Sequence, residues 1–135
     1  MTYIPEALRR LVYERASGRC EYCLLHSADG YMPHEVDHIY AEKHGGVTAE
    51  YNVCLSCFEC NRHKGSDLSS IDPLTGEVIQ LFHPRRDKWT EHFRLNGAFL
   101  EPLTPQGRVT VFLLQMNNPK RLLEREILIE AQRYP

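Results

Sequence analysis

Four cysteines fall in two pairs, Cys20-Glu21-Tyr22-Cys23 and Cys57-Phe58-Glu59-Cys60, separated by about the length of one hairpin. A CxxC turn places two sulfurs on one side of a knuckle, and two knuckles supply the four thiolates of a closed tetrahedral zinc shell. Such a shell has no open position, so the zinc it would hold is structural. A redox pair of the thioredoxin kind occurs once, within a βαβ pattern that is absent here. Cys54 could join Cys57 in an alternative CxxC, but it falls in a segment that reads as a strand, where a free buried thiol is the simpler account.

A second group follows from Glu35-Val36-Asp37-His38-Ile39, through Asn52, to Cys60-Asn61-Arg62-His63-Lys64-Gly65. An Asp-His pair alone is commonplace on protein surfaces. Here Asn52 stands fourteen positions after His38, and Asn61 stands nine after that, directly behind the last cysteine. From Arg19 to Gly65 this pattern resembles the HNH endonucleases, in particular the zinc-containing subgroup with one CxxC before the first strand and a CxxCN at the helix. Gly45-Gly46 falls where many members carry paired glycines. The resemblance implies a ββα-metal finger and a role for each matched residue. His38 would be the general base, Asp37 and Asn61 the ligands of one catalytic divalent ion, and Asn52 the middle residue that braces the hairpin loop. Asn61 stands where the family's final histidine gives its name to the motif, a replacement the family often shows. His63 is a weaker substitute ligand.

The chemistry agrees with those roles. Phosphodiester hydrolysis needs a water made nucleophilic near neutral pH, stabilisation of charge on the phosphorus oxygens and help for the departing oxygen. A neutral His38 can take the proton from water. Mg²⁺ or Mn²⁺ takes oxygen ligands and keeps several waters, which suits a site with only two protein ligands. His44, Arg62 and Lys64 are the nearest candidates for phosphate contacts. On this reading Asp37→Ala should leave zinc content and stability nearly intact.

The elements that must position these groups are legible in outline. Pro5 opens a helix carrying Leu8, Leu11, Val12 and Ala16, and Gly18 ends it. Its Arg9, Arg10, Arg15 and Arg19 read first as a solvated face. Residues 35–40 and 51–55 are expected strands around the Gly45-Gly46 loop, and a helix is expected over 58–64. Further on, Asp72-Pro73-Leu74-Thr75-Gly76 is a turn, and Asn96-Gly97 links 93–95 to 98–100 as a hairpin. Thr104-Pro105 and Asn118-Pro119 start two helices. Val109, Phe112, Leu113 and Met116 share one face of the first, and Leu123, Ile127 and Ala131 recur on the second, so the two are expected to pack together. Phe82-His83-Pro84-Arg85 and residues 89–93 resemble an extension of some bacterial members, without an assigned role.

The expected architecture is therefore α+β. A ββα-metal finger core, stabilised by a zinc site of four cysteines, carries an N-terminal helix and a C-terminal hairpin plus two-helix extension. The whole is expected as a single domain over 1–135, with the core in 1–66 and the extension in 67–135. The 135 residues suffice for one core. No apolar run is long enough to span a bilayer, and no export signal precedes the first helix, so a cytoplasmic protein is expected. A net charge of -2 does not advertise nucleic acid, though a carboxylate site offset by a bound ion accounts for part of it. The expected partner is DNA, double-stranded and read with weak sequence specificity, because no separate reading module is attached. Oligomeric state is open. The competing function is a non-catalytic, zinc-stabilised nucleic-acid-binding module. A redox or zinc-storage protein would account for the cysteines but leave Asp37, His38 and Asn61 without a role.

Overall fold

The computed structural model describes residues 2–135. Helix α1 (Glu6–Arg15) is followed by strands β1 (Glu35–His38) and β2 (Val53–Ser56), and by helix α2 (Phe58–Lys64). Then come β3 (Ser69–Ile71), β4 (Val78–Gln80), the short α3 (Trp89–His92), β5 (Phe93–Asn96), β6 (Phe99–Pro102), α4 (Pro105–Leu113) and α5 (Pro119–Glu130). Among the described residues these make a mixed α+β fold of five helices and three antiparallel hairpins.

Strands β1 and β2 pair with Asp37 opposite Cys54 and His38 opposite Val53. The hairpin is shorter than expected at its loop end, because Glu50–Asn52 winds into a 3₁₀ turn before β2 begins. Helix α1 closes one side of it. Val12, with Leu8 and Ala16, packs on Val53, Leu55 and Val36, and Arg15 donates to the carbonyls of Glu50 and Val53 at 2.9 and 2.7 Å. Leu11, read as part of that apolar face, is instead exposed.

The main core joins both halves of the chain. Cys20, Tyr22, Cys23, Cys54, Cys57 and Cys60 pack with Phe82, Phe93, Leu100, Leu114 and Met116. The residue 72–76 turn is the loop of the β3–β4 hairpin, whose three-residue strands are too short to announce themselves by alternation. In the next hairpin Asn96 pairs with Phe99, so the two-residue loop is Gly97-Ala98, one place later than expected. The caps fall as the sequence predicts: Thr104 accepts from the Gly107 N–H and Asn118 from the Arg121 N–H. The faces of these helices do not. Phe112, Leu123, Ile127 and Ala131 are exposed, so the expected apolar seam between α4 and α5 does not form. The buried residues of α5 are Arg121 and Arg125. Arg125 donates to the carbonyls of Ala98 and Met116 at 2.7 Å each, and to Asn117 Oδ1 at 2.9 Å. Buried carbonyls need donors, and a guanidinium supplies five.

Candidate functional site

The four sulfurs of Cys20, Cys23, Cys57 and Cys60 lie within 4.8 Å of one another, and all four residues are buried. Cys23 Sγ and Cys57 Sγ are 3.7 Å apart. Metal–sulfur bonds of about 2.3 Å in a tetrahedron give edges of about 3.8 Å, so the cluster fits zinc in size and in donor type. Each knuckle is made locally. Leu24 takes a positive φ of 70° and its N–H bonds the Cys20 carbonyl at 2.9 Å, which curls the first pair. In the second, Cys57 is the N-cap of α2, and its sulfur accepts from the Cys60 N–H at 3.4 Å. Burial pushes the Cys20 thiol well up, while hydrogen bonds from Cys20, Cys57 and Cys60 hold Cys23 well below the usual thiol range. Cys54 stands outside the cluster. Burial, reinforced by Asp37, raises its pKa and keeps it an inert thiol.

One face of β1 lies against α2, because alternation points Glu35 and Asp37 the same way and Asn61 and Lys64 lie three apart on the helix. Asn61 donates to Glu35 Oε2 at 2.7 Å. Lys64 reaches Asp37 Oδ2 at 3.1 Å and the His38 carbonyl at 3.0 Å. The same Asp37 oxygen accepts from the Tyr22 hydroxyl at 3.2 Å. Burial pushes the Asp37 carboxyl up; the Lys64 ammonium and the Tyr22 hydroxyl oppose that shift. Tyr22 itself is held a phenol, and hence a donor, by burial and by its neighbours Cys54 and Asp37.

His38 points to the opposite face. It lines an open cleft of about 390 Å³ with Ile4, Arg9, Glu35, Val36 and Glu42. Its Nε2 shares a 2.8 Å hydrogen bond with Thr48 Oγ1. Thr48 is held in turn by the loop that Asn52 ties down: Asn52 Oδ1 accepts from the Tyr40 N–H, and its Nδ2 donates to the carbonyls of Tyr40 and Val47, all at 2.9 Å. Gly46 is required in this loop, since a Cβ there would run into the Tyr40 carbonyl.

Residues 20–67, which span both knuckles, the β1–β2 hairpin and α2, match the family model described as HNH endonuclease. This segment, 48 of the 135 residues, is similar to HNH endonuclease domains. No curated protein and no solved structure matches the chain.

Within this segment the expected phosphate contacts separate. Arg62 is exposed, and His44, also exposed, bonds the Ser66 carbonyl at 3.0 Å. Lys64 does not fit the expectation: it is buried to 2% exposure and its ammonium is spent on Asp37 and the His38 carbonyl. His63 pairs with Glu59 at 3.4 Å along the helix, away from Asp37. Two residues of the site have no role in the reading of the sequence. Glu35 is visible in principle, because it lies two places before Asp37 on one strand. Thr48 carries no such signal; only the fold of the loop brings it to His38.

Proposed function

We propose that this chain is a metal-dependent endonuclease that hydrolyses DNA phosphodiester bonds, with a structural zinc in the Cys20, Cys23, Cys57 and Cys60 cluster. The observation that carries the reading is the arrangement on β1: Glu35 meets Asn61 and Asp37 meets Lys64 on α2, while the adjacent His38 opens, with Glu35 at its rim, into the cleft. His38 Nε2 is engaged by Thr48, which leaves Nδ1 as the lone pair that accepts a proton from water when the Nε2–H donates to the threonine. Thr48 thus fixes the ring orientation. Asp37 and Asn61 are the oxygen donors for one Mg²⁺ or Mn²⁺, with Glu35 beside them. Of the Asp37 oxygens, Oδ1 takes none of the Lys64, Tyr22 and Cys54 contacts. When bound, the ion would stabilise charge on the phosphate and the leaving oxygen. Arg62 and His44 present exposed donors near the end of α2, suited to phosphate contacts that are insensitive to sequence. The site's two halves predict cleavage that needs both an ion and His38.

One observation favours the second reading, a non-catalytic zinc-stabilised nucleic-acid-binding module: Lys64 already neutralises Asp37. Plasmid nicking separates the two. The proposal expects cleavage with Mg²⁺ or Mn²⁺ that EDTA abolishes, while the purified protein retains its zinc. Duplex binding without any cleavage under either metal would leave the binding module.

A further inference from the structure

Helix α5 lies outside the HNH match, yet it delivers a cation to the sulfur cluster. Arg121 is 4% exposed, and its Nη2 donates to Cys60 Sγ at 3.1 Å and approaches Cys57 Sγ at 3.8 Å. Its other terminal nitrogen, Nη1, donates to the carbonyls of Leu114 and Gln115 at 2.8 and 3.4 Å, which fixes the guanidinium plane. A guanidinium buried this deeply is costly unless it meets opposite charge. Zn²⁺ with four thiolates carries a net charge of about -2 in a dry interior, and a fixed positive group beside such a centre stabilises it. Among the described residues the other cation buried on α5, Arg125, spends its donors on oxygens and reaches no sulfur.

Other residues of the C-terminal half grip the same centre. Tyr134 donates to the Cys23 carbonyl at 2.6 Å, Trp89 donates to the Tyr22 carbonyl at 2.9 Å, and Arg85 pairs with Glu21. Both knuckles are therefore held from the C-terminal half, the first by its backbone and side chains and the second by its sulfurs.

We infer that Arg121 is a working part of the metal centre: it hydrogen-bonds the Cys60 and Cys57 thiolates, offsets the charge of the tetrathiolate and so sets how tightly the zinc is kept. The inference rests on the zinc reading of the cluster and is independent of nuclease activity. Hydrogen bonds to ligating groups typically change metal affinity about 10–100-fold. The whole chain is used for the test. The parental protein is first assayed for zinc, with about one ion per chain expected. Zinc affinity is then measured by competition with a chromogenic chelator, and the thiolate-to-metal charge-transfer band is recorded after cobalt substitution. R121M should bind zinc about 10–100-fold more weakly and shift the cobalt band, with R121K between it and the parent. R125M, which removes an equally buried arginine that touches only oxygen, should lower the melting temperature and leave the cobalt band in place. Folded R121M with parental affinity and an unshifted band overturns the inference; if R121M does not fold, R121K showing both parental values does the same. A parental protein without zinc overturns the metal reading and the inference together, whereas a zinc-bound parent with indifferent Arg121 variants overturns the inference alone.

Discussion

Two polar clusters share the seven-residue helix α2, and they solve opposite problems. At its N-terminus Cys57 and Cys60 complete a set of buried sulfurs whose protein partners are one another, two backbone N–H groups and Arg121. One turn later Asn61 and Lys64 meet Glu35 and Asp37, and here the buried Asp37 already has its counter-charge in Lys64. The sulfur cluster is incomplete without an ion. The oxygen face pairs its buried carboxylate without one, as the exchangeable metal site proposed above requires, because an unpaired buried carboxylate would otherwise destabilise the free protein. The comparison teaches that a structural and an exchangeable site are told apart less by ligand count than by what the protein places there in the ion's absence.

Variants at the two clusters should therefore fail in different ways. The largest effect is expected from Cys57→Ala, which opens the sulfur shell and removes the α2 cap together. Structural zinc contributes its binding free energy to folding, so zinc loss, collapse of the melting transition and loss of any cleavage should appear together in metal analysis and circular dichroism. Retained zinc with a normal melt would erase the distinction drawn above. Next is His38→Ala, expected to slow metal-dependent cleavage by at least about a hundredfold while the melting curve stays near the parent's. Parental cleavage by the pure variant would remove His38 from the chemistry.

Asp37→Ala sharpens the comparison most. The sequence alone suggests a loosely held surface ligand whose removal costs little, but Asp37 is 7% exposed and Lys64 2%. Removing the carboxylate strands a buried ammonium, a change that typically costs about 3–5 kcal/mol. The melting temperature should drop with zinc still bound, and the double variant Asp37→Ala, Lys64→Met should recover part of it. A single variant as stable as the parent would mean that the ion pair is not formed in solution.

The smallest effect lies far from both clusters. Asp72, fully enclosed, takes two bonds from Arg108 at 2.8 and 2.7 Å and accepts from the Leu74 N–H and the Thr75 hydroxyl. The Arg108 guanidinium holds its carboxyl well below the usual carboxylate range. A carboxyl depressed in the folded state stabilises fully above its unfolded pKa, about 3.9, and loses that contribution as the pH falls toward the folded value. Asp72→Asn should therefore be less stable than the parent at pH 7 in urea melts, with the gap closing below about pH 4. A gap that stays constant with pH would assign the effect to packing.

The legible and illegible parts of the molecule divide along physical lines. The spacing of Cys20, Cys23, Cys57 and Cys60 is set by bond lengths and turn geometry, so the cluster can be read without a structure. The caps at Thr104 and Asn118 are equally local. Burial of charge is not local. Periodicity assigns Leu123 and Ile127 to the interior and is silent on Arg121 and Arg125; the fold does the reverse, because carbonyls and sulfurs from other segments reward a guanidinium more than a side chain of carbon. Lys64 reads as a surface contact for the same reason: its partners Asp37 and His38 lie on another element. Within the site, Asn52 is legible from its place in the motif, whereas Thr48 depends on a loop shape that only Gly46 permits.

The reach of Arg121 across 61 residues to Cys60 also has a meaning in time. During synthesis at about 5–20 residues per second, the second knuckle emerges roughly 3–12 seconds before the arginine that covers it. For that interval the four sulfurs can gather, and take up an ion, without their counter-charge. The nascent chain is then at its most open to metal exchange and to oxidants, and the arrival of α5 closes the window.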